Sequence, residues 1–305
     1  KKVYNGDAAT VLSNITYGYD GGDTLVAQYK GATIGVPSGG DPIFTGLARR
    51  SAIGTDFAGQ VEAVGKKVTT FEIGDRVFGL HDEGLASQAE YMTIGANKAV
   101  TQIPNNSEYN EAVASCEGAH YAANFIDKVS LKKGDKVLVN GATGAIGSAA
   151  LQLLKNLGVK VTAVGNTKNI ALIKSLGADK IFNYEKEDFT MDDERYHFIF
   201  DAVGKSSFPE CKHLLLDKGV YISSELGPNA QNLYLPLITW IKGNKRVIFP
   251  LPKECRKSIL SIAQLLAQKR FKPVIDRSYP MEEVSKAYDY VLTGQKTGNV
   301  ILTLV

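Results

Sequence analysis

The sequence predicts an α/β protein in which a β-rich segment precedes a parallel sheet covered by helices. Strand-like and helix-like segments alternate between about residues 106 and 249, which is typical of a parallel sheet. The residues before 103 instead carry short apolar runs between glycine and aspartate turns. With 305 residues, 44% of them hydrophobic, the chain is long enough for about two domains and too apolar for a disordered protein.

The first segment is expected to form an all-β unit. Apolar runs between turn residues indicate strands at residues 25–27, 59–64 and 76–78. Few stretches here have the 3.6-residue spacing of an amphipathic helix.

The middle segment is expected to form the parallel sheet. Residues 136–140 are an apolar run suited to a buried strand, and apolar residues then recur at helical spacing until Gly158 ends the helix. Further strands are expected at 159–164, 198–200, 220–222 and 247–249, with a helix at 169–176. The last segment predicts helices at about 258–269 and 281–292, and a final strand at 299–305.

The strongest chemical signal is the run NGATGAIG at residues 140–147, which follows a predicted strand and opens a predicted helix. This context is the one that a dinucleotide-binding fingerprint requires, and the pattern here is A-x-G-x-x-G. Unpaired N–H groups at the start of such a helix attract phosphates. The alternative is a tight turn without a ligand. The candidate cofactor-binding residues are Gly141, Ala142, Thr143, Gly144, Ala145 and Ile146.

The end of the next predicted strand indicates which dinucleotide is used. NAD-specific sites usually place an acidic residue there to bind the ribose hydroxyls. Residues 164–168 contain no acid and offer Asn166, Thr167 and Lys168 instead. These side chains suit a 2′-phosphate, so the sequence predicts NADPH. The alternative for Lys168 is an ordinary solvated lysine.

Charge and composition exclude several classes of protein. The net charge of +3 gives no support for a nucleic-acid partner, and no apolar run approaches the ~18 residues of a membrane span. The three cysteines contain no C-x-x-C pair, which excludes a four-thiolate structural zinc site and favours a reducing cytosol. The chain does not begin with a signal-like segment, so we expect a cytoplasmic protein.

Six motifs follow one another along the chain. They are GTDFAG at 54–59, GDRVFG at 74–79, the A-x-G-x-x-G turn, KSLGAD at 174–179, FDAVG at 200–204 and TGNVIL at 297–302. In order and spacing over about residues 40–305, the chain resembles the medium-chain dehydrogenase/reductase superfamily, specifically its zinc-free, quinone-oxidoreductase-like branch.

The resemblance implies a two-domain fold with the active site in the cleft between the domains. Residues 1–105 and 270–305 would form a GroES-like β domain. Residues 106–269 would form a Rossmann domain with a doubly wound parallel sheet. The resemblance also implies a homodimer, joined through edge strands of the Rossmann sheets.

The departures from zinc alcohol dehydrogenases imply an enzyme without a metal. Those enzymes have Gly-His-Glu where this chain has Gly54-Thr55-Asp56, and threonine cannot replace an imidazole ligand. The histidines show no ligand spacing. The expected reaction is hydride transfer from NADPH to a small electrophilic acceptor, either a quinone or an α,β-unsaturated ketone or aldehyde.

Catalytic and substrate-binding candidates come mainly from the resemblance. Asp41 and Ser38 lie in a loop that is expected near the nicotinamide, and a simple turn is the alternative reading for Asp41. Tyr121 or His120 is a candidate proton donor, and Glu117 is a candidate to orient His120. The alternative for these three residues is a cluster without a catalytic role.

The remaining candidates lie after later strands. Tyr184 is expected on the 2′-phosphate, or packed on the adenine side. Trp240 lies in the apolar stretch 233–241, which would line a substrate pocket, the core or an interface. The residues expected near the nicotinamide are Val203, Leu226, Gly227 and Phe249.

Two other functions stay open at this point. Some members of this branch bind the nucleotide and have little or no catalytic turnover. An enoyl-thioester reductase would also use an apolar cleft over a nicotinamide.

Overall fold

A computed structural model describes residues 24–28, 33–35, 54–81, 87–251 and 255–304, the first two segments as backbone only. The chain divides into two compact units, residues 1–117 with 254–305, and residues 118–253. The described part of the chain contains helices and a six-stranded parallel sheet, which confirms the predicted α/β class. In that part no helix is long and apolar enough to cross a membrane.

Two small sheets form the framework of the first unit. Strands β1 (Thr24–Gln28), β3 (Asp56–Val64), β4 (Arg76–Leu80), β5 (Tyr91–Gly95) and β6 (Val100–Gln102) pair antiparallel in the order β5-β1-β3-β4-β6. Strands β2 (Thr33–Gly35), β13 (Ile275–Pro280) and β14 (Asn299–Thr303) form a second sheet in the order β13-β14-β2. This β-rich unit agrees with the GroES-like β domain that the resemblance implies.

The first unit also contains helices α1 (Tyr109–Ala114), α7 (Cys255–Ala267) and α8 (Val284–Leu292). Its core joins apolar side chains of β3, β4 and β5 to those of β14 and α8. The sequence placed the boundaries at 105/106 and 269/270, whereas the structure puts 106–117 and 254–269 in this unit. Asn106 Nδ2 donates hydrogen bonds to the carbonyls of Leu266 and Ala267 at 3.4 and 3.2 Å, which ties these two segments together.

The second unit is built on the parallel sheet. Its strands are β7 (Lys136–Asn140), β8 (Lys160–Gly165), β9 (Lys180–Asn183), β10 (Tyr196–Asp201), β11 (Leu215–Ser223) and β12 (Arg246–Ile248). They pair in the order β12-β11-β10-β7-β8-β9. Helix α2 (Glu117–Asp127) begins at the unit boundary and continues into this unit. The other α-helices described in this unit are α3 (Ala145–Asn156), α4 (Ile170–Ser175), α5 (Phe208–Cys211) and α6 (Gln231–Lys242).

The order of these strands creates a switch point between β7 and β10. From β7 the chain proceeds to β8 and β9 on one side of the sheet, and then to β10, β11 and β12 on the other. Ligands of open α/β sheets bind outside the carboxyl ends of the strands at such a point. The carboxyl edge beside β7 is therefore where a site is expected.

Candidate functional site: the carboxyl edge of the parallel sheet

The turn after β7 has the shape of a phosphate-binding turn. Gly141 has φ +79°, a conformation that L side chains rarely adopt, and Gly144 is the residue that precedes α3. A Cβ on Gly147 would lie 2.1 Å from the carbonyl oxygen of Gly141, so α3 packs against the turn only with glycine there. A Cβ on Gly144 would meet only that carbonyl oxygen, at 3.6 Å, which leaves open space for a ligand above the turn.

Polar atoms on the same edge are buried without a partner. Asn166 Oδ1, directly after β8, and Ser224 Oγ, directly after β11, have no hydrogen-bond partner among the described residues. The same is true of Gln231 Nε2 and Asn232 Oδ1 at the start of α6. Buried polar groups are normally hydrogen-bonded, so these atoms indicate a polar ligand along the edge. A dinucleotide, with its ribose hydroxyls, phosphates and amide, fits this set.

Asp201 organises the switch point, and the sequence did not single it out as a site residue. It is fully buried at the end of β10, and its Oδ1 accepts hydrogen bonds from Asn140 Nδ2 at 3.1 Å and from the N–H of Gly204 at 3.1 Å. Its Oδ2 accepts from the hydroxyls of Tyr221 at 3.0 Å and Ser223 at 3.3 Å. Burial raises the pKa of Asp201, and the hydrogen bonds from Tyr221 and Asn140 oppose that shift. The carboxylate thus ties the ends of β7, β10 and β11 together.

An acid that follows β9 in the chain lies against the end of β8. The Glu185 carboxylate accepts hydrogen bonds from the N–H and the Oγ1–H of Thr167, at 3.1 and 2.6 Å. Tyr184 N–H donates to the carbonyl of Gly165 at 3.1 Å, which brings the ends of β8 and β9 together. The candidates Thr167, Lys168 and Tyr184 are all exposed here, at one corner of the edge.

The residues expected near the nicotinamide lie on the other side of β7. A Cβ on Gly141 would be 2.6 Å from the Cβ of Val203, so the phosphate turn and the end of β10 are in contact. Leu226 and Gly227 follow β11, and Phe249 follows β12. Three strand spacings separate β7 from β12, roughly 14 Å.

Trp240 and Phe249 share a groove between α6 and β12, which has a volume of about 430 Å³. Trp240 is 72% exposed, so it is not a core residue. The groove is lined by Leu233, Pro236, Trp240, Arg246, Val247, Ile248, Phe249 and Leu251.

Two of the predicted site residues lie outside the described part of the chain, namely Ser38 and Asp41. His120 and Tyr121 are described, and their rings meet edge to face with centroids 5.6 Å apart. His120 is buried and Tyr121 is half-buried on α2.

Glu117 belongs to a charge cluster in the first unit, formed by Asp56, Glu117 and Lys296. Glu117 N–H donates to Asp56 Oδ2 at 3.3 Å, while Asp56 Oδ1 is buried without a partner in the described part of the chain. Burial raises the pKa of Asp56 well above its usual value, and the charge of Glu117 adds to that effect. Burial also raises the pKa of Glu117, which Lys296 opposes, and lowers the pKa of Lys296.

The charge cluster stands beside the position where zinc alcohol dehydrogenases have their histidine. Thr55 occupies that position here, directly before Asp56. Within residues 54–81, 87–251 and 255–304, no group of three or more His, Cys, Asp or Glu side chains is arranged to hold a metal ion. The described side chains do not fit a catalytic zinc, which needs three protein ligands.

Two families match the chain. Residues 15–107 match the alcohol dehydrogenase GroES-like domain, and residues 176–302 match a family described as zinc-binding dehydrogenase. A solved quinone oxidoreductase from Coxiella burnetii has a similar fold, with a TM-score of 0.82 and 22% identity over 93% of this chain and 91% of that one.

Curated relatives are named as reductases. The chain is 30% identical over 260 residues to a 2-methylene-furan-3-one reductase of Solanum lycopersicum, and the match covers 82% of this chain and 62% of that protein, which is less than two thirds of its length. It is 27% identical over 267 residues to the Homo sapiens quinone oxidoreductase, covering 82% of this chain and 79% of that protein. The chain belongs to the medium-chain dehydrogenase/reductase superfamily, in its quinone-oxidoreductase-like branch.

Proposed function

We propose that this protein transfers a hydride from NADPH to a quinone or to an α,β-unsaturated carbonyl compound, without a zinc ion. The single observation that supports it most is the carboxyl edge beside β7, where an open glycine turn and several unpartnered polar atoms lie together. Family membership implies an oxidoreductase with a nicotinamide cofactor. The names of the tomato and human relatives favour the two acceptor classes.

Residues along the edge would hold the dinucleotide. The turn of Gly141 to Gly144 and the first N–H groups of α3 would bind the pyrophosphate. Asn166 and Lys168 would bind the adenosine ribose and its 2′-phosphate, with Tyr184 beside them. The nicotinamide supplies the hydride when the cofactor is bound. Val203, Leu226, Gly227 and Phe249 would border that ring.

The acceptor class follows from Thr55, which stands where zinc alcohol dehydrogenases have a histidine. Oxidation of a simple alcohol relies on a Lewis acid to stabilise the alkoxide. Thr55 cannot replace an imidazole ligand, and among the described residues no group of three or more His, Cys, Asp or Glu side chains is arranged to hold a metal ion. An electron-poor double bond needs only hydrogen-bond donors near its carbonyl oxygen, because the conjugation already spreads the developing charge.

The final proton would come from a side chain or from water. Tyr121 and His120 on α2 are the described candidates, and Asp41 is a candidate by resemblance. Glu117 keeps its proton to higher pH than an ordinary glutamate, because burial raises its pKa. It is therefore a third described candidate.

We also propose that the protein is a homodimer. Helix α6 presents an exposed apolar face beside β12, an edge strand of the parallel sheet in the described part of the chain. Such a contiguous face usually marks an interaction surface. Its exposed side chains are Leu233, Tyr234, Leu237, Ile238, Trp240 and Ile241. Light scattering should give twice the monomer mass, and a monomer would contradict the proposal.

A cytoplasmic location stays a prediction from the sequence.

Loss of NADPH absorbance in the presence of an acceptor panel tests the reaction. The panel is 1,4-benzoquinone, 9,10-phenanthrenequinone, an alkenal, a vinyl ketone and a simple aldehyde. We expect turnover of the quinones or the enones, no turnover of the aldehyde, and rates that EDTA leaves unchanged. NADPH binding without any turnover would favour a nucleotide-binding protein instead, and turnover lost to EDTA would contradict the zinc-free mechanism.

A further inference from the structure

Glu185 occupies the corner of the site where the 2′-phosphate of NADPH is expected. Its Oε2 accepts hydrogen bonds from both donors of Thr167, the N–H at 3.1 Å and the Oγ1–H at 2.6 Å. Thr167 and Lys168 are the residues that would otherwise bind the phosphate. An anion of the protein therefore already holds two of the donors that the cofactor's anion would use.

The surrounding hydrogen bonds fix this arrangement. Asn183 Nδ2 donates to Thr167 Oγ1 at 2.8 Å, so the hydroxyl hydrogen is directed to Glu185. The N–H of Glu185 itself donates to Asn183 Oδ1 at 3.1 Å. Glu185 is exposed, and three residues from the ends of β8 and β9 thus form one hydrogen-bonded group around its carboxylate.

Glu185 carries its negative charge at neutral pH. The hydrogen bonds from Thr167 lower its pKa, and the positive charges of Lys168 and Lys186 act in the same direction. A phosphate monoester carries nearly two negative charges at this pH, so the two anions repel each other and compete for the same donors. A ribose hydroxyl differs, because it can donate to a carboxylate that has lone pairs to spare.

We propose that Glu185 weakens the preference for NADPH that Lys168 supports. Its carboxylate occupies the two Thr167 donors that the 2′-phosphate would use, and it can accept a hydrogen bond from a ribose hydroxyl of NADH. This inference rests on the proposed function, since it requires a dinucleotide at the carboxyl edge. It also revises the expectation from residues 164–168, where the sequence offered no acid. The acid comes from the turn that follows the next strand, β9.

Calorimetric binding of two cofactor fragments to the full chain tests the proposal. Adenosine 2′,5′-bisphosphate carries the phosphate, and adenosine 5′-diphosphate carries the free hydroxyl. In Glu185→Gln, we expect the bisphosphate to bind about tenfold more tightly, since one close charge repulsion is removed and the competition for the Thr167 donors is weakened. The affinity for adenosine 5′-diphosphate should stay the same or fall by up to about threefold, because the amide oxygen is a weaker acceptor than a carboxylate.

Glu187→Gln is the matched control. Glu187 is an exposed acid two residues further on, and its Oε1 accepts the N–H of Asn183 at 3.1 Å. The same charge is removed there, away from the Thr167 donors, so both affinities should change by less than about twofold. Glu185→Ala should also bind the bisphosphate more tightly than the wild type does. In Glu185→Gln and Glu185→Ala, kcat/KM for NADPH relative to NADH should rise.

The outcomes separate this inference from the proposed function. Binding of both fragments with a ratio that Glu185→Gln leaves unchanged, or that Glu187→Gln changes equally, overturns the role of Glu185 and leaves the dinucleotide site standing. If neither fragment binds to the folded wild-type chain or to any variant, the proposed function fails and this inference fails with it.

Discussion

The carboxyl edge of the second unit and the charge cluster of the first unit are assembled in opposite ways. The edge is built around one continuous stretch, in which β7, the glycine turn and α3 follow each other along the chain. The charge cluster draws Asp56, Glu117 and Lys296 from separate parts of the sequence, and the first two are 61 residues apart. A local motif is visible in the sequence, whereas such a cluster exists only once the chain has folded.

The comparison also separates two kinds of buried carboxylate. Asp201 at the edge accepts hydrogen bonds from side chains and N–H groups on several sides, so its burial is compensated. Asp56 accepts the N–H of Glu117 on one oxygen, while the other oxygen is buried without a partner in the described part of the chain. We expect the first to stabilise the fold and the second to cost stability when it is ionised.

The largest effect should come from the glycine turn. In Gly147→Val, the new side chain would enter the backbone of Gly141 and Ala142, which cannot move away without displacing β7. We expect the free energy of unfolding to fall by about 3 kcal/mol or more, as overpacking against backbone does elsewhere. Denaturant titration measures it.

Gly144→Ala is the control for this substitution. Its Cβ meets only one atom, at 3.6 Å, and Gly144 has an ordinary φ of −75°. The free energy of unfolding should stay within about 0.5 kcal/mol of the wild type, while dinucleotide affinity falls about tenfold or more because the methyl group stands where phosphate approaches. Equal loss of stability in both variants would mean that the turn is not an open cradle.

Asp201→Asn should have the second-largest effect. The amide places an N–H₂ group against donors that now face a carboxylate, so at least one buried donor loses its acceptor. We expect the free energy of unfolding to fall by about 2–3 kcal/mol. Tyr221→Phe removes one donor and leaves the carboxylate, and about 1 kcal/mol is expected there. A loss in Asp201→Asn no larger than that in Tyr221→Phe would contradict the need for a charged acceptor.

Asp56→Asn should change the free energy of unfolding least, and at high pH it should raise it, whereas the substitutions above lower it. Burial raises the pKa of Asp56 in the folded state above its unfolded value. The wild type is therefore stabilised by this group below the ordinary aspartate pKa and loses that stability as pH rises through the folded value. At neutral to alkaline pH the variant should be more stable than the wild type, by an amount on the order of 1 kcal/mol, and the gain should vanish in acid.

The matched control is Glu62→Gln, an exposed acid on the same strand, β3. Its effect on the free energy of unfolding should be about 0.5 kcal/mol or less at every pH. Unfolding curves measured over a pH series compare the two variants. A gain in Asp56→Asn that does not depend on pH would show that the charge of Asp56 is not the cause.

Much of the fold follows from local pattern. The strand at 136–140 and the helix after it agree with β7 and α3, because buried apolar runs and the 3.6-residue spacing act within a few residues. The first and last residues of helices and strands were less predictable. The helix expected at 281–292 begins with a 3₁₀ turn at Met281–Glu283, and the final strand ends at Thr303 rather than 305. Helix ends depend on capping contacts that periodicity does not reveal.

The α/β class, the glycine turn and Thr55 at the place of a zinc ligand can be read from the amino-acid sequence, since each is a property of neighbouring residues. The contact of Glu185 with the donors of Thr167, 18 residues away, and that of Asp56 with Glu117 arise only in the folded chain. Electrostatic interactions depend on distance in space and on burial, and both are set by which strands become neighbours in a sheet.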